Sequence, residues 1–409
     1  MAAGKITLGD VRALSARAKA VVAEARAKML APEEMKSAPL FSLSDVEAIT
    51  GIPAARIRQH LRVDEDSQGR LPQGQTREEL GEVGSTLFGR GQKRYYSAAE
   101  HARILRHLVP ERFRPAGIAG LVISIFNYKG GVAKSTSCAS LAQALSYFGY
   151  SVAVVDLDPQ GSATNLFGYL QTFDVETADT ALPVLSGTET SLLRNVRKTY
   201  WPGIDIVPSG PGLQRAEANF ARDVEKSGKS VMLRMQASMA ELKAQYDFVL
   251  IDTPPSLNNL ASHALLNSDG VLVPCPPANV DLASLSMVWD LYVEACEQLG
   301  ITDDTTPLFN FLRVFATKVE AQTRSARTVL DWLKDTYGQY MSSVIIPKSA
   351  AVTTAAESFG TVFDNIAAMA GKKSSSHDTV RTAYEQLAKE IIVEAQEIWA
   401  EKSVVANAA

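Results

Sequence analysis

Phe126-Asn127-Tyr128-Lys129-Gly130-Gly131-Val132-Ala133-Lys134-Ser135-Thr136 is the stretch that decides the fold of this chain. Before it stands Leu121-Val122-Ile123-Ser124-Ile125, an apolar, β-branched run that predicts a buried strand. After it, residues 138–148 carry apolar side chains at helical spacing and stop at Gly149. Strand, glycine-bearing loop, Lys-Ser/Thr and helix is the layout of a nucleotide-phosphate loop. Its backbone N–H groups and helix N-terminus face the anion. In that reading Lys134 brings a cation to the β/γ-phosphates, and the Ser135 hydroxyl sits on Mg²⁺. The usual pattern asks for glycine at 128 and 133, where this chain has Tyr128 and Ala133. In exchange, an extra lysine, Lys129, stands five residues before Lys134. The competing reading is an ordinary strand–turn–helix whose glycines only make the turn.

Two further strand ends decide between these readings. A Mg-nucleotide site needs carboxylates at the carboxyl ends of neighbouring strands, where open α/β sheets bind ligands. Asp252 ends the apolar run 248–251 and leads into Thr253-Pro254-Pro255, the place for an acid that holds Mg²⁺ through water. Asp156 and Asp158 end the run 152–155, and their spacing turns both to one side if the strand continues. One can support the metal, and the other can orient or deprotonate the attacking water. A lone Asp after a strand is more often a helix cap, but here two such ends accompany a phosphate loop.

Further strands are predicted at 205–207, 270–274, 308–314 and 341–346, with helical patterns between several of them and a helix over 379–402. The fold class is therefore α/β, a mostly parallel, doubly wound sheet. The 409 residues leave room for something smaller besides. With 46% hydrophobic and 21% charged residues, a sizeable core is expected. Cys138, Cys275 and Cys296 form no C-x-x-C pair, which argues against a disulfide scaffold or a metal-cluster ligand set and fits a reducing cytoplasm. The opening Met-Ala-Ala-Gly-Lys has no apolar leader, and no run is long enough to cross a bilayer. A soluble, cytoplasmic protein is expected.

The net charge of −4 hides an asymmetry. Residues 1–120 hold 19 Lys and Arg against 14 Asp and Glu, leaving 22 against 31 for the rest. A mildly basic front permits a nucleic-acid contact without establishing one. Within it, 8–36 reads as an amphipathic helix, whose stripe either packs on its own domain or pairs with another chain. A short capped helix follows from 41 to 50, then the turn Gly51-Ile52-Pro53 and a second short helix from 54 to 61. That is a helix-turn-helix unit, with Arg56, Arg58, Gln59 and His60 at exposed positions able to reach phosphates and base edges. A polar, glycine-rich stretch leads to Lys93-Arg94-Tyr95-Tyr96, a basic and aromatic segment suited to a wing strand. A small helical domain with no DNA role is the plain alternative. The pattern Leu-x-x-Val-x-x-Ile-Thr-Gly-Ile-Pro followed by Lys-Arg-Tyr-Tyr resembles winged members of the MerR type. Domain boundaries are expected at 1–40 (dimerisation helix), 41–117 (winged helix-turn-helix) and 118–409 (nucleotide domain).

The three motifs together, Lys129 to Thr136, Asp156-x-Asp158-Pro159-Gln160-Gly161 and Ile251-Asp252-Thr253-Pro254-Pro255, resemble the ParA/MinD family of deviant-Walker ATPases. The likeness is to the ParA partition ATPases, and covers roughly residues 119–395. It implies ATP/ADP and Mg²⁺ as cofactors and an ATP-sandwich homodimer in which Lys129 reaches the partner's nucleotide. By the same resemblance Gly130, Gly131, Val132, Ala133, Lys134, Ser135 and Thr136 hold the phosphates. Asp158 positions the hydrolytic water, with Ser135, Asp156 and Asp252 at the metal. Pro274-Cys275-Pro276-Pro277 resembles the family's base-proximal segment, and Ile346-Pro347 a second one. The front block matches the larger ParA subclass. This implies a ParB-type partner that stimulates hydrolysis, specific operator DNA bound with ADP, and non-specific nucleoid DNA bound with ATP. Candidates for the non-specific surface are Lys318, Arg324, Arg327, Lys372 and Lys373. Departures are Ala133, which alters the loop, and Ser162, where Asn is frequent.

Rival readings differ in class. A MinD-like positioning ATPase for a protein cargo shares the site, but its membrane-bound form needs a basic amphipathic C-terminal helix, whereas 379–402 carries Glu385, Glu390, Glu394, Glu397 and Glu401. A DNA-binding repressor with a nucleotide switch and little turnover fits the front block and Ala133.

Overall fold

The computed structural model describes residues 6–28, 36–81, 93–256, 258–277, 300–320, 323–350, 359–364 and 375–408, with positions 289, 290, 292–294, 296, 297 and 352. The chain enters through α1 (Leu8–Lys28), on which Leu8, Val11, Leu14 and Val21 are exposed. Of the two sequence readings, packing of this stripe on the chain's own domains is not what the described residues adopt. Positions 29–35, which close the predicted helix, lie outside the described residues.

The sequence predicts a helix from Phe41, but β1 (Leu40–Ser42) comes first and α2 (Leu43–Thr50) starts two residues later. Ser42 sets the boundary. Its backbone N–H and its hydroxyl both donate to Asp45 Oδ2 at 2.7 Å. Gly51, at φ +75, closes α2 in the left-handed conformation that only glycine takes without strain. α3 (Ala54–Val63) follows, then the hairpin of β2 (Glu65–Asp66) and β3 (Gly69–Arg70), then β4 (Gln75–Thr76) and β5 (Arg94–Ser97). β5 pairs antiparallel with both β1 and β4, so the segment predicted as a wing is the middle strand of a three-stranded sheet. Tyr96 is buried there. α4 (Ala98–Leu108) is started by a reciprocal cap between Ser97 and Glu100.

The large sheet is built from β6 (Leu121–Ile125), β7 (Val152–Asp156), β8 (Arg197–Lys198), β9 (Ile204–Val207), β10 (Phe248–Asp252), β11 (Gly270–Cys275), β12 (Phe311–Val319) and β13 (Met341–Pro347). Its spatial order is β13-β12-β11-β6-β10-β7-β9-β8, parallel throughout except the short edge strand β8. The expected strand 308–314 runs instead as Phe311–Val319, in register with β11 from Gly270 opposite Phe311. Alternation along β6 and β10 explains why these strands read as unbroken apolar runs. Leu121, Ile123, Ile125, Phe248 and Leu250 face one core, and Val122, Val249 and Ile251 the other.

α5 (Lys134–Tyr147) and α12 (Ser375–Ala408) cover the first face, through Leu141, Leu145, Leu387 and Ile391. α6 (Ser162–Leu166), α7 (Leu182–Leu185) and α8 (Gln214–Ser227) lie between β7 and β10 in the chain, and α9 (Gln236–Gln245) covers the second face through Met239 and Leu242. α10 (Asn259–Leu266) and α11 (Arg324–Tyr337) join the β11–β12 end, where Leu265, Val273, Val314, Val329 and Leu333 form a third cluster. The front block shares the first core. Phe41 stacks on His101 with ring centroids 4.3 Å apart, and His101 Nε2 lies 2.9 Å from the Tyr147 carbonyl at the end of α5. Arg106 and Arg114 both pair with buried Asp247 at the start of β10.

Candidate functional site

The register of the central strands puts the site together. Asp252, the last residue of β10, lies opposite Ile125 of β6 on one side and Asp156 of β7 on the other. The loop leaving β6 therefore starts level with both carboxylates. Asn127 shapes the turn: buried, it donates from Nδ2 to the Pro274 carbonyl at 2.8 Å and accepts from the Lys129 N–H at 3.0 Å. Gly131 and Ala133 are both left-handed, at φ +76. α5 begins directly after Ala133, and its first N–H groups have no intrahelical acceptor. Such alternation next to a helix N-terminus makes an anion-binding concavity. Glycine suits that conformation and alanine does not, so Ala133 holds it under strain.

Lys134 is buried at the mouth of the helix and donates from Nζ to the Lys129 carbonyl at 3.1 Å. Burial lowers its pKa, and the charges of Asp252 and then Asp158 oppose that. Asp252 is wholly buried, and neither carboxylate oxygen has a hydrogen-bond partner. Its pKa is pushed well up, chiefly by burial and then by Asp156, while the nearby Ser135 hydroxyl and Lys134 pull it down. Asp156 differs. Its Oδ2 accepts from the Thr164 N–H at 2.9 Å and the Thr164 hydroxyl at 2.7 Å, and its Oδ1 from the Asp158 N–H at 3.0 Å. Burial still lifts its pKa to about 7. Asp158 accepts from the Gln160 N–H at 2.9 Å and is raised by burial, with Lys134 opposing.

A buried carboxylate without a hydrogen-bond partner beside a hydroxyl supplies oxygen ligands for a hard divalent cation, and the neighbouring Lys134 ammonium suits the phosphates such a cation would accompany. Among the described residues no cluster of three or more His, Cys, Asp or Glu forms a self-contained metal cage. A cation held by Ser135 and Asp252 would share its remaining positions with phosphate oxygens and water. Pro274 and Pro276 follow at the end of β11, and Pro347 ends β13, where Val319 of β12 pairs with it.

The sequence-predicted DNA residues fall into separate places. Arg56, Arg58 and Gln59 are exposed on α3. His60 is not an exposed reader: its Nδ1 lies 2.7 Å from Asp64 Oδ2, which also meets His107 Nε2 at 3.0 Å. Arg58, Arg62, Lys93 and Arg94 line a cleft of about 450 Å³ with Gln73 and Tyr96. Arg324 and Arg327 are exposed in the first turn of α11. Lys318 instead touches the phosphate loop, donating to the Gly131 carbonyl. Lys372 and Lys373 lie outside the described residues. Sequence reasoning missed Asn127, Thr317, whose hydroxyl donates to the Val132 carbonyl at 3.1 Å, and Lys36, whose side chain is buried against Asp364 at 3.0 Å. Only Asn127, two residues beyond the strand, sat within reach of a motif.

Residues 120–299 match the family model described as an AAA domain. Sporulation initiation inhibitor protein Soj of Bacillus subtilis is 28% identical over 236 residues, covering 58% of this chain and 87% of that protein. Over that stretch the chain is similar to AAA-domain proteins of the ParA type. A Sinorhizobium fredii protein provisionally named replication protein A is 30% identical over 270 residues, 62% of this chain. The chain spans 61% of that relative's length. The solved structure of a partition protein matches with a TM-score of 0.59 at 22% identity, covering 89% of this chain and 99% of that one, and shares its fold.

Proposed function

We propose that this chain is a ParA-type, Mg²⁺-dependent ATPase that partitions DNA, binding ATP or ADP at the β6–α5 loop. One observation carries this reading. The unpartnered Asp252 carboxylate is buried beside Ser135 and Lys134, under a left-handed loop at a helix N-terminus. Lys134, together with the backbone from Gly130 to Thr136, holds the phosphates. Ser135 and Asp252 would hold Mg²⁺, which when bound neutralises charge on the phosphate oxygens. Asp156, tied to Thr164 and to the Asp158 backbone, positions Asp158. Asp158, raised toward the working pH by burial, orients the attacking water and takes its proton. Lys129 reaches across a homodimer to the partner's nucleotide, and Pro274, Pro276 and Pro347 flank the base.

The proposed parts are 1–40 for dimerisation, 41–117 for specific operator binding and 118–409 for nucleotide-dependent binding to nucleoid DNA. A ParB-type partner stimulates turnover. The basic cleft between α3 and β5 supports the operator role, since four cationic side chains converge there. The protein would work in the cytoplasm on the nucleoid. No helix among the described residues is long and apolar enough to cross a membrane. A second reading, a nucleotide-switched repressor with little turnover, is favoured by Ala133, whose strained backbone sits inside the phosphate loop.

A titration at fixed salt tests the proposal, comparing the gene's upstream region with unrelated DNA under ADP, ATP and no nucleotide. Specific binding with ADP and indiscriminate binding with ATP, accompanied by DNA- and partner-stimulated ATP turnover, is the expected result. Specific binding without turnover would favour the repressor. No DNA binding in any state would sink both readings of the front block.

A further inference from the structure

The end of β12 is bent toward the phosphate loop. Thr317, fully buried, donates from Oγ1 to the Val132 carbonyl at 3.1 Å. Lys318, exposed, donates from Nζ to the Gly131 carbonyl at 2.6 Å. Lys318 does so at φ +53, a left-handed backbone that costs an L-residue free energy and persists only where surroundings impose it. The β12–β13 register shifts between Ala316 and Val319, around the same residue. Beyond the bend, the Lys348 N–H returns to the Val319 carbonyl at 3.0 Å and fixes the strand again. Two successive loop carbonyls are thus held by two successive side chains of a neighbouring strand.

A trans peptide is planar, with its C=O and the following N–H pointing in opposite directions. Holding the Gly131 carbonyl turns the Val132 N–H the other way, and holding the Val132 carbonyl does the same for the Ala133 N–H. A loop that binds phosphate through N–H groups needs those two amides aimed together before the anion arrives. The loop alone does not secure this, because Ala133 is strained where glycine would be relaxed. We propose that Thr317 and Lys318 are positioning residues for the nucleotide, latching the outer carbonyls of the phosphate loop so that its amides face the anion. This rests on reading the loop as an ATP site, and it assigns Lys318 a role other than the DNA contact expected from sequence.

The test uses the full chain. Mg-ATP affinity is measured by calorimetry for wild type, Lys318→Gln, Lys318→Arg, Thr317→Val and Thr317→Ser, and amide hydrogen exchange of the loop is followed without nucleotide. Lys318→Gln and Thr317→Val should each bind about tenfold more weakly, the loss of one good hydrogen bond. Lys318→Arg and Thr317→Ser should recover most of that loss. Without nucleotide, the loop amides of both weakened variants should exchange faster. Lys318→Gly, which removes side chain and strain together, should bind as weakly as Lys318→Gln; recovered affinity there would overturn the latch. Unchanged affinity and exchange in Lys318→Gln, with wild type binding ATP, would overturn the latch alone. Weaker binding with unchanged exchange would make Lys318 a direct phosphate contact and overturn positioning. A folded wild type that binds no ATP would overturn the site reading and the latch together. Lys318 is exposed, so its variants carry the test even if Thr317→Val fails to fold.

Discussion

Asp252→Asn should make the nucleotide-free protein more stable while removing its Mg²⁺-dependent ATP binding. Asp252 is wholly buried at the end of β10 with both oxygens unpartnered, and Asp156 lies beside it in register. An unsatisfied buried polar group costs about 1–3 kcal/mol, and an ionised one several kcal/mol. Asparagine keeps the shape and the cost of an unpartnered polar group but removes the extra cost of the charge. Lys134 loses one of its two opposing carboxylates but keeps Asp158, an offset of roughly 1 kcal/mol. The net gain should be about 1–2 kcal/mol, read as a higher urea midpoint at unchanged slope.

The pH dependence supplies the control. Burial raises the folded-state pKa of Asp252 above its unfolded value of 3.8. The folded state then holds the proton more tightly, so the destabilisation is absent below 3.8 and grows as pH rises toward the folded pKa. The stability gap between Asp252→Asn and wild type should therefore be open at about pH 8 and close toward about pH 4. In the same preparations, Mg²⁺ should strengthen ATP binding by wild type and leave Asp252→Asn unaffected. A variant less stable than wild type at pH 8, or a gap that does not change with pH, would refute the claim that burial of this carboxylate costs more than Ser135 and Lys134 return.

Three other substitutions probe neighbouring claims. Ala133→Gly should stabilise the protein by about 1 kcal/mol, because glycine adopts φ +76 without the Cβ clash; a lower unfolding midpoint would mean that the loop is not strained there. Asp158→Ala should keep ATP affinity and lower turnover by about 10²–10⁴-fold, and near-normal turnover would assign the water to another group. Lys36→Met should cost about 3 kcal/mol or more in thermal or urea unfolding. It leaves Asp364 buried after losing a 3.0 Å ion pair, and an unchanged midpoint would show that pair to be inert.

Strands covered on both faces announced themselves. Leu121–Ile125, Val152–Asp156 and Phe248–Asp252 have no polar side to disguise them, and the carboxylates that end the last two followed by position. Edges and junctions were harder. β8 has two residues and is defined only by its pairing with β9. Phe41 looks helical in sequence, yet its pairing with Tyr96 and its stacking on His101 hold it extended. β12 slid three residues from its expected start because register with β11, not local composition, places Phe311 opposite Gly270. Lys318 and Lys36 were beyond local reading altogether. The first acts through a backbone bend no spacing encodes, and the second pairs with a residue 328 positions away.

The same long-range packing bears on how the front block relates to the nucleotide site. α5 begins at the phosphate loop with Lys134 and ends at Tyr147, 14 residues or about 21 Å later. At that far end the Tyr147 carbonyl meets His101, its hydroxyl reaches Asp45 at 3.4 Å, and its ring lies 5.8 Å from that of Phe41. Phe113 and Tyr150 meet at 4.9 Å, and Tyr150 in turn contacts Trp399 of α12. These side chains belong to one continuous core, not to two cores joined by a tether. A close-packed interior transmits displacement because it has few voids to absorb it. A movement of α5 along its axis therefore cannot stop at Tyr147: it must either carry α2 and α4 with it or open the contact between Phe41, His101 and Tyr147. His101 stands in that contact with its pKa lowered to about 4 by burial, so it remains neutral at physiological pH and adds no charge repulsion of its own. The junction is thus held by ring packing and by the hydrogen bonds of Tyr147 to His101 and Asp45, and a shift of the helix would alter both.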